Sequence, residues 1–457
     1  MELLYFIQDY LPIFMFVSLA ALLFTGYPVA YILGGLAIAF GLIGYTLDMF
    51  QLVEFFNFLP RIWGQAAENL VLVAVPTFVF MGTMMERSGV ANEMLYCCQV
   101  LLRKVPGALA LAVTVMGTIL AAMTGIIGAS VTMMTALALP TMLKQGYSQA
   151  LSTGVIAASG TLGILIPPSI MLIIMADLLS ISVGTLFMAA LIPGLTLSAL
   201  YLIFVSGWAT VRPSVAPPLP KELLYVPPKE MGPLLVRGFF PPVFLIAFIK
   251  GSILLGFATP SEAGAVGAFG AMVLALLKGT LKWDIVKGVC QSSALTIAMI
   301  FFIVMSATCF AYVFRSLGGD DVVEHLILAA GLGSWGLLFL IMAIVFFLGF
   351  FLDWVEITLI VLPVFAPLVA GLDFGAHVAK DMLTYWFTVL VAINLQTSFL
   401  TPPFGFALFY MKGIAPKEVD IRNIYVGIIP FVLLQLCGVI LVLWKPEVAL
   451  WLARLAG

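Results

Sequence analysis

Two proline pairs are the residues of this sequence best suited to creating a binding site. Pro167-Pro168 follows the segment 157–166, and Pro402-Pro403 follows the segment 392–401. A proline pair removes two N–H donors and forces the preceding backbone out of a helix. In hydrocarbon the released carbonyl groups need partners, so such a break is tolerated only inside protein or beside a cavity. Each pair therefore predicts a broken helix.

Small polar residues precede both proline pairs. They are Ser159, Gly160, Thr161 and Gly163 in the first break, and Asn394, Gln396, Thr397, Ser398 and Thr401 in the second. Carbonyl, amide and hydroxyl oxygens are neutral ligands that suit a sodium ion, whereas the N-terminus of a half-helix suits a carboxylate. A single proline kink in a membrane helix is more often a packing feature. Two breaks at matching places favour a binding site.

Two further apolar segments, 107–143 and 334–370, carry small or polar residues in their centres. These centres contain Gly125, Gly128 and Ser130 in the first segment, and Gly349, Asp353 and Glu356 in the second. We predict that both segments are re-entrant hairpins, because the alternative of fourteen full spans would need polar residues within two of them. Carboxylates at membrane depth indicate function. The alternative for Asp353 and Glu356 is a solvated position at the hairpin tip.

The composition is that of a polytopic membrane protein. Hydrophobic residues make up 63% of the 457 residues, charged residues 9%, and the mean hydropathy is +1.19. We predict an all-α protein with about ten transmembrane helices, surrounded by a lipid bilayer and not bound to nucleic acid. The predicted spans are 10–25, 27–46, 68–86, 147–179, 186–210, 233–257, 260–278, 288–316, 382–411 and 423–444. The first is expected to be retained, because it lacks the basic start of a signal peptide.

The positive charges predict an orientation. With the N-terminus in the periplasm and both hairpins re-entrant, fourteen of the 20 Lys and Arg residues fall on the cytoplasmic side. The six on the other side are Arg61, Lys250, Arg315, Lys380, Lys445 and Arg454. The first hairpin then has cytoplasmic ends and the second has periplasmic ends, so the two repeats are inverted. Inverted repeats with broken helices are characteristic of secondary transporters.

The order of these segments predicts the organisation of the chain. A proline-rich stretch at 211–233, which contains seven prolines, is predicted to be a cytoplasmic linker between the halves. Aligning the two proline pairs places Ser159 over Asn394, Thr161 over Gln396 and Gly163 over Ser398. The predicted parts are N-terminal scaffold helices (1–106), a first repeat (107–210; hairpin 107–143, broken helix 147–179), the linker (211–233), further scaffold helices (234–333), a second repeat (334–411; hairpin 334–370, broken helix 382–411) and a C-terminal helix (412–457).

At these motifs the sequence resembles the large membrane subunit of tripartite ATP-independent periplasmic (TRAP) transporters. The resemblance rests on Lys144-Gln145-Gly146-Tyr147, the run 158–169, Pro193-Gly194, the run 259–263 and the run 400–405. It implies an elevator-type transporter in which a mobile domain holding both hairpins slides against a scaffold. It also implies sodium as the coupling ion, an organic acid as substrate, a small four-helix membrane subunit, a periplasmic substrate-binding protein and the bacterial inner membrane.

The resemblance also implies roles for individual residues. One sodium site would use Gly125, Gly128, Ser130, Ser159, Gly160, Thr161 and Gly163. The other would use Gly349, Asp353, Gln396, Thr397, Ser398 and Thr401. Substrate would contact Ser130, Ser159, Glu356 and Asn394, and the breaks would lie at Pro167, Pro168, Pro402 and Pro403. The first tip has Ile126-Ile127-Gly128-Ala129 where the family usually has a serine-rich sequence, so backbone carbonyls are expected to contribute more of the ligands.

Other functions are weighed against this one. A stand-alone sodium/anion symporter of inverted-hairpin design is the main alternative, and a passive channel fits the two matched breaks less well. A membrane enzyme is disfavoured, because the sequence contains no His-Glu-x-x-His, Gly-x-Gly-Asp or P-loop motif, and it has only two histidines and no metal-binding cysteine spacing. Glu262 is expected to cap a helix as readily as to act in transport.

Overall fold

Helices form the regular structure of the chain in the computed structural model, which describes residues 2–124, 127–218, 227–329, 331–402 and 405–455. The first half contains α1 (Glu2–Leu23), α2 (Val29–Thr46), α3 (Phe58–Ile62), α4 (Ala74–Arg87), α5 (Val90–Leu102), α6 (Ala108–Thr124), α7 (Ile127–Lys144), α8 (Gln149–Thr161), α9 (Ile170–Leu178) and α10 (Val183–Val211). The second half contains α11 (Pro228–Gly238), α12 (Phe240–Leu254), α13 (Pro260–Leu277), α14 (Trp283–Ser316), α15 (Gly319–Ala329), α16 (Ser334–Leu348), α17 (Trp354–Ala370), α18 (Leu383–Leu400), α19 (Phe406–Ile414), α20 (Ile421–Trp444) and α21 (Glu447–Arg454). Short 3-10 turns lie at Leu52–Asn57, Leu162–Ile164 and Gly375–His377, and a π turn at Trp63–Ala67.

The predicted all-α polytopic class is confirmed. Nine helices of the described part are long and apolar enough to cross a membrane, and one of them is the hairpin limb α7. The two predicted spans that remain correspond to the shorter α4 and to the interrupted helix α8–α9; in the other interrupted helix, α18–α19, α18 is itself one of the nine. The short helices α5, α15 and α21 come in addition.

The range predicted to be the linker is partly helical. α11 begins at Pro228, inside the predicted range 211–233, and extends into the next span. Proline is tolerated at the first position of a helix because its missing N–H would have no helical partner there. The prolines at 213, 217 and 218 lie outside helices, and residues 219–226 fall outside the described part of the chain.

Both re-entrant segments form hairpins whose tips stop at the level of the helix breaks. The α6–α7 hairpin packs along α8, and a Cβ on Gly160 near the end of α8 would lie 2.6 Å from Val131 Cγ2, close to the hairpin tip. In the second half, a Cβ on Gly349 at the tip would lie 2.7 Å from Ser398 Cβ, close to the end of α18. Both tips therefore lie beside the helix breaks, and that the hairpins enter the membrane without crossing it stays a prediction.

The loops divide into two groups at opposite ends of the bundle. At one end, Lys278 Nζ donates to Gly89 O (2.6 Å) and lies 3.1 Å from Glu93 Oε1. At the other end, Ser182 N donates to Tyr385 Oη (3.2 Å). These contacts join residues for which the positive charges predict the same side. Which end faces the periplasm stays a prediction.

Candidate functional site

The first helix break is an ordered turn held by a serine cap. α8 ends at Thr161, a 3-10 turn follows at Leu162–Ile164, and α9 begins at Ile170. Ser169 caps α9: its Oγ donates to Ile164 O (2.7 Å) and accepts the N–H of Leu172 (3.5 Å). The predicted break residues Pro167 and Pro168 lie in this buried turn. The capping role of Ser169 was missed, although Ser is a preferred cap.

The second break leaves a half-helix with an open N-terminus. α18 ends at Leu400, and α19 begins at Phe406 after Gly405, whose φ of +52° favours glycine. No side chain of the residues that the structure describes caps α19, and its first turn carries no acidic residue. Pro402 lies in the break, and Pro403 falls outside the described residues. The partial positive charge of this helix end is therefore not capped by any described side chain.

The two breaks meet at equivalent positions of the two repeats. Gln396 Nε2 donates to Thr161 Oγ1 (3.4 Å), and Thr161 Oγ1 donates to Ala158 O (2.9 Å). Thr161 and Gln396 are the residues that the aligned proline pairs place over one another. Equivalent residues of two inverted repeats touch only near the pseudo-two-fold axis that relates them. With the repeats divided as predicted, this contact lies at the centre of the repeat pair.

Two oxygens near the ends of α8 and α18 are buried without a hydrogen-bond partner in the described part of the chain. They are Ser159 Oγ, on a residue 1% exposed, and Gln396 Oε1, on a residue 0% exposed. A buried polar atom without a partner costs about 1–3 kcal/mol and is uncommon in native proteins. Gln396 Oε1 lies beside Thr161 Oγ1, whereas Ser159 packs against α6 at Gly117. Neutral oxygens of this kind are the ligand chemistry of a small hard cation.

The remaining hydroxyls of the second break bind their own helix. Thr397 Oγ1 donates to Ile393 O (2.8 Å), Ser398 Oγ to Leu395 O (2.9 Å) and Thr401 Oγ1 to Thr397 O (2.8 Å). A hydroxyl that donates its hydrogen keeps its lone pairs, so each of these oxygens remains able to accept a cation. Ser398 also packs against Gly349, as the assignment of both to one site requires.

The predicted residues of the first hairpin tip are brought to the same region. Ser130 is 2% exposed, and Gly163 lies buried in the 3-10 turn after α8. A Cβ on Gly128 would lie 2.9 Å from Tyr410 Cζ, so the first tip packs against α19 beyond the second break. Gly125 lies outside the described residues. The contact with Tyr410 had no signal in the sequence.

The two acidic residues of the second tip cap the helix that follows them. Trp354 N donates to Asp353 Oδ1 (2.8 Å), and Asp353 N donates to Glu356 Oε2 (3.1 Å), which is a capping box. Both residues are half-buried. Their carboxylates satisfy the N-terminus of α17, and a solvated position at the tip stays the alternative. A sodium-binding role for Asp353 and a substrate-binding role for Glu356 stay predictions.

Two other polar residues have structural contacts. Asn394 Nδ2 donates to Met342 O (2.7 Å) and so ties α18 to the second hairpin, while its role in binding substrate stays a prediction. Glu262 forms a capping box with Thr259, whose N–H donates to Glu262 Oε2 (2.8 Å). The capping role expected for Glu262 is confirmed.

A cavity of about 600 Å³ lies between the hairpins and α19. Its lining is mostly aromatic and comprises Thr132, Phe350, Phe351, Phe406, Phe409, Tyr410, Gly413 and Ile414. Phe350 and Phe351 belong to the second tip, Thr132 to the limb that follows the first tip, and Phe406 to the open end of α19. This cavity has room for a small organic molecule beside the joined breaks.

These features define the class of the protein. Inverted hairpins, paired broken helices and a polar site at their junction are the architecture of a membrane transport protein of the secondary-transporter type. Among the described residues, no group of three or more His, Cys, Asp and Glu side chains is arranged to hold a metal ion.

Comparison with known proteins identifies the family. Residues 16–448 match the family model for the tripartite ATP-independent periplasmic transporter, DctM component. The C4-dicarboxylate TRAP transporter large permease protein DctM of Pseudomonas aeruginosa is 29% identical over 402 residues, covering 86% of this chain and 88% of that protein. The isethionate TRAP transporter permease protein DctMQ of Oleidesulfovibrio alaskensis is 26% identical, covering 98% of this chain and 67% of that protein. The crystal structure of the YdaH transporter of Alcanivorax borkumensis has the same fold, with a TM-score of 0.58 at 14% identity and 88% of each chain covered.

The chain therefore belongs to the TRAP transporter family, as its large permease subunit, and it is a multi-pass membrane protein. The resemblance inferred from the sequence motifs is confirmed.

Proposed function

We propose that this chain imports an organic acid across the bacterial inner membrane, driven by a sodium gradient. The observation that carries the proposal is the meeting of the two breaks, where Gln396 Oε1 is buried beside Thr161 without a partner and Ser159 Oγ, two residues earlier on α8, also lacks one. A bound sodium ion gives these oxygens the partner that they lack. Because the ligands belong to both repeats, ion binding depends on the two breaks being held together.

The half-helix ends support an anionic substrate. The N-terminus of α17 is already satisfied by two carboxylates, whereas α19 has an uncapped end and α7 carries no acidic residue in its described first turn. These two helices touch at Gly128 and Tyr410, beside the 600 Å³ cavity. Their partial positive charges favour a carboxylate there. Relatives named for C4-dicarboxylate and for isethionate, both organic acid anions, support this substrate class.

The sodium ion and the substrate move together in this proposal. Both lie on the segments of the two repeats, which slide as an elevator against the scaffold helices. A small membrane subunit and a periplasmic binding protein complete the system, with the N-terminus of this chain in the periplasm. The longer relative DctMQ supports the proposed small subunit. About a third of the length of DctMQ lies beyond the match, which is room for a second unit fused to the large one.

Uptake into liposomes tests the proposal. The chain is reconstituted with the small subunit encoded beside it, the neighbouring binding protein is added, and radiolabelled succinate is supplied with an inward sodium gradient. We expect accumulation above the outside concentration with sodium, and none when potassium replaces sodium on both sides. Undiminished uptake in potassium would refute sodium coupling. Uptake by the chain alone would favour the stand-alone symporter, and a screen of organic acids against the binding protein would identify the substrate.

A further inference from the structure

A second cavity, of about 470 Å³, lies apart from the breaks. One wall comes from α3, α14 and the turn after α3, and the other from the end of α9 and one face of α17. The first wall belongs to segments predicted to be scaffold, and the second to segments of the two repeats. The polar residues of the lining include Arg61, Gln65, Asp177, Ser180, Tyr312 and Arg315. None of the residues assigned to sodium or substrate lines this cavity.

Arg61 presents an unpaired positive charge to this cavity. Its guanidinium lies over the ring of Tyr312, 4.3 Å from the ring centre, and it makes no ion pair or hydrogen bond with the part of the chain that the structure describes. The Tyr312 ring is itself fixed, because its hydroxyl accepts from Asn57 Nδ2 (2.8 Å) and donates to Glu54 Oε2 (3.1 Å). The stacking orients the planar fork of Arg61 but leaves its N–H donors available.

The other charges of the cavity are already engaged. Arg315 Nη2 donates to Pro363 O (2.9 Å), and Arg315 Nε lies 3.6 Å from Asp320 Oδ2. Asp177 Oδ2 accepts hydrogen bonds from Gln65 Nε2 (3.0 Å) and from the amide of Asn69 (2.7 Å). The lining thus has two arginines and one carboxylate, and Arg61 is the cation left for a ligand. An arginine with available donors in an open cavity matches the two oxygens of a carboxylate.

We propose that this cavity is a second binding site for the organic acid, in which Arg61 binds the carboxylate before it reaches the helix breaks. The proposal rests on the proposed function for the identity of the anion and for the periplasmic position of the cavity. The site lies where scaffold and repeats face each other, so an anion bound there sits next to the moving part of the protein. Ser180 and Gln65 supply further polar contacts for the rest of the acid.

Charged thiol reagents test the site. The exposed Cys290 and Cys437 are replaced by Ser, and the lining residue Ser180 is replaced by Cys. We measure the rates at which an anionic and a cationic methanethiosulfonate label the S180C variant in sodium-free buffer. Removing the charge with Arg61→Gln should lower the ratio of the anionic rate to the cationic rate about tenfold, as expected for a unit charge several ångströms away. Arg454→Gln, which removes an arginine paired with Glu447, should leave the ratio unchanged.

Protection by succinate provides the second arm. Millimolar succinate should slow labelling of the S180C variant by neutral N-ethylmaleimide when Arg61 is present and not after Arg61→Gln. The proposal would be overturned if Arg61→Gln left the ratio of labelling rates unchanged. It would also be overturned if succinate did not slow labelling of the S180C variant that retains Arg61, and this measurement does not depend on the folding of an Arg61 variant. Both labelling experiments are done without sodium. If succinate protects Ser180→Cys but sodium does not drive uptake, the proposed function is refuted and the second binding site is not.

Discussion

Replacing Ser159 with Ala separates ion binding from folding. Ser159 Oγ is buried without a partner near the end of α8, so the wild-type protein without sodium bears the cost of an unsatisfied hydroxyl. That cost is about 1–3 kcal/mol. The space vacated by one oxygen costs a few tenths of a kcal/mol, at about 24 cal/mol per Å³ of cavity. The variant should therefore be about 1–2 kcal/mol more stable than the wild type in sodium-free buffer.

In the presence of sodium, the wild type should be more stable than the Ser159→Ala variant. Losing one ligand oxygen is expected to weaken sodium binding by about 1.4–3 kcal/mol, which raises the concentration for half-activation roughly tenfold to a hundredfold. At a sodium concentration about 100 times the wild-type dissociation constant, bound ion stabilises the wild type by about 2.7 kcal/mol. A variant with hundredfold weaker binding gains only about 0.4 kcal/mol at the same concentration.

The assay is thermal unfolding of the purified protein across a sodium titration, alongside sodium activation of uptake. Ser293→Ala is the matched control, because Ser293 Oγ is also buried without a partner among the described residues but lies on α14. It should raise stability in the absence of sodium and leave the response to sodium unchanged. If Ser159→Ala responds to sodium as the wild type does, Ser159 is not a ligand and the reasoning fails.

Three further predictions concern packing, capping and topology. Gly160→Ala brings a Cβ against Val131 and should cost about 1–3 kcal/mol in thermal unfolding; an unchanged midpoint would contradict the close packing of α7 on α8. Asp353→Asn should retain the helix cap, whereas Asp353→Ala should lower the free energy of unfolding by about 1 kcal/mol. Equal unfolding midpoints for the two variants would argue against capping. A single cysteine near Gln145 should react with impermeant reagents only from the cytoplasm, and one near Ser334 only from the periplasm. Labelling of either position from the other side would refute the predicted orientation.

Hydropathy and the proline pairs predicted most of the architecture. The spans can be predicted because crossing hydrocarbon requires long apolar helices. The breaks can be predicted because a helix cannot continue through a proline pair. The short helices α5, α15 and α21 were missed because they are too short to cross a membrane and carry no span signal. The start of α11 was assigned to the linker because its prolines were counted without regard to their position at the helix start.

The candidate site was predicted less completely. Aligning the proline pairs identified Thr161 and Gln396 as equivalents, but their contact depends on where the pseudo-two-fold axis passes, which follows from packing of the whole bundle. The capping box of Asp353 and Glu356 was readable, since an acidic cap with Glu three positions later is its signature. The contact of Gly128 with Tyr410 joins residues far apart in sequence and could not be read from either segment.

The coupling between Thr161 and Gln396 is the central claim, and a double-mutant cycle measures it. Thr161→Val and Gln396→Leu are made singly and together, and the sodium concentration for half-maximal succinate uptake is determined for each protein. If both side chains serve one joint site, each single variant should raise that concentration about tenfold and the double variant scarcely further, a coupling of about 1.4 kcal/mol. A double variant that multiplies the single effects to about a hundredfold would show independent residues and contradict a site shared by the two repeats.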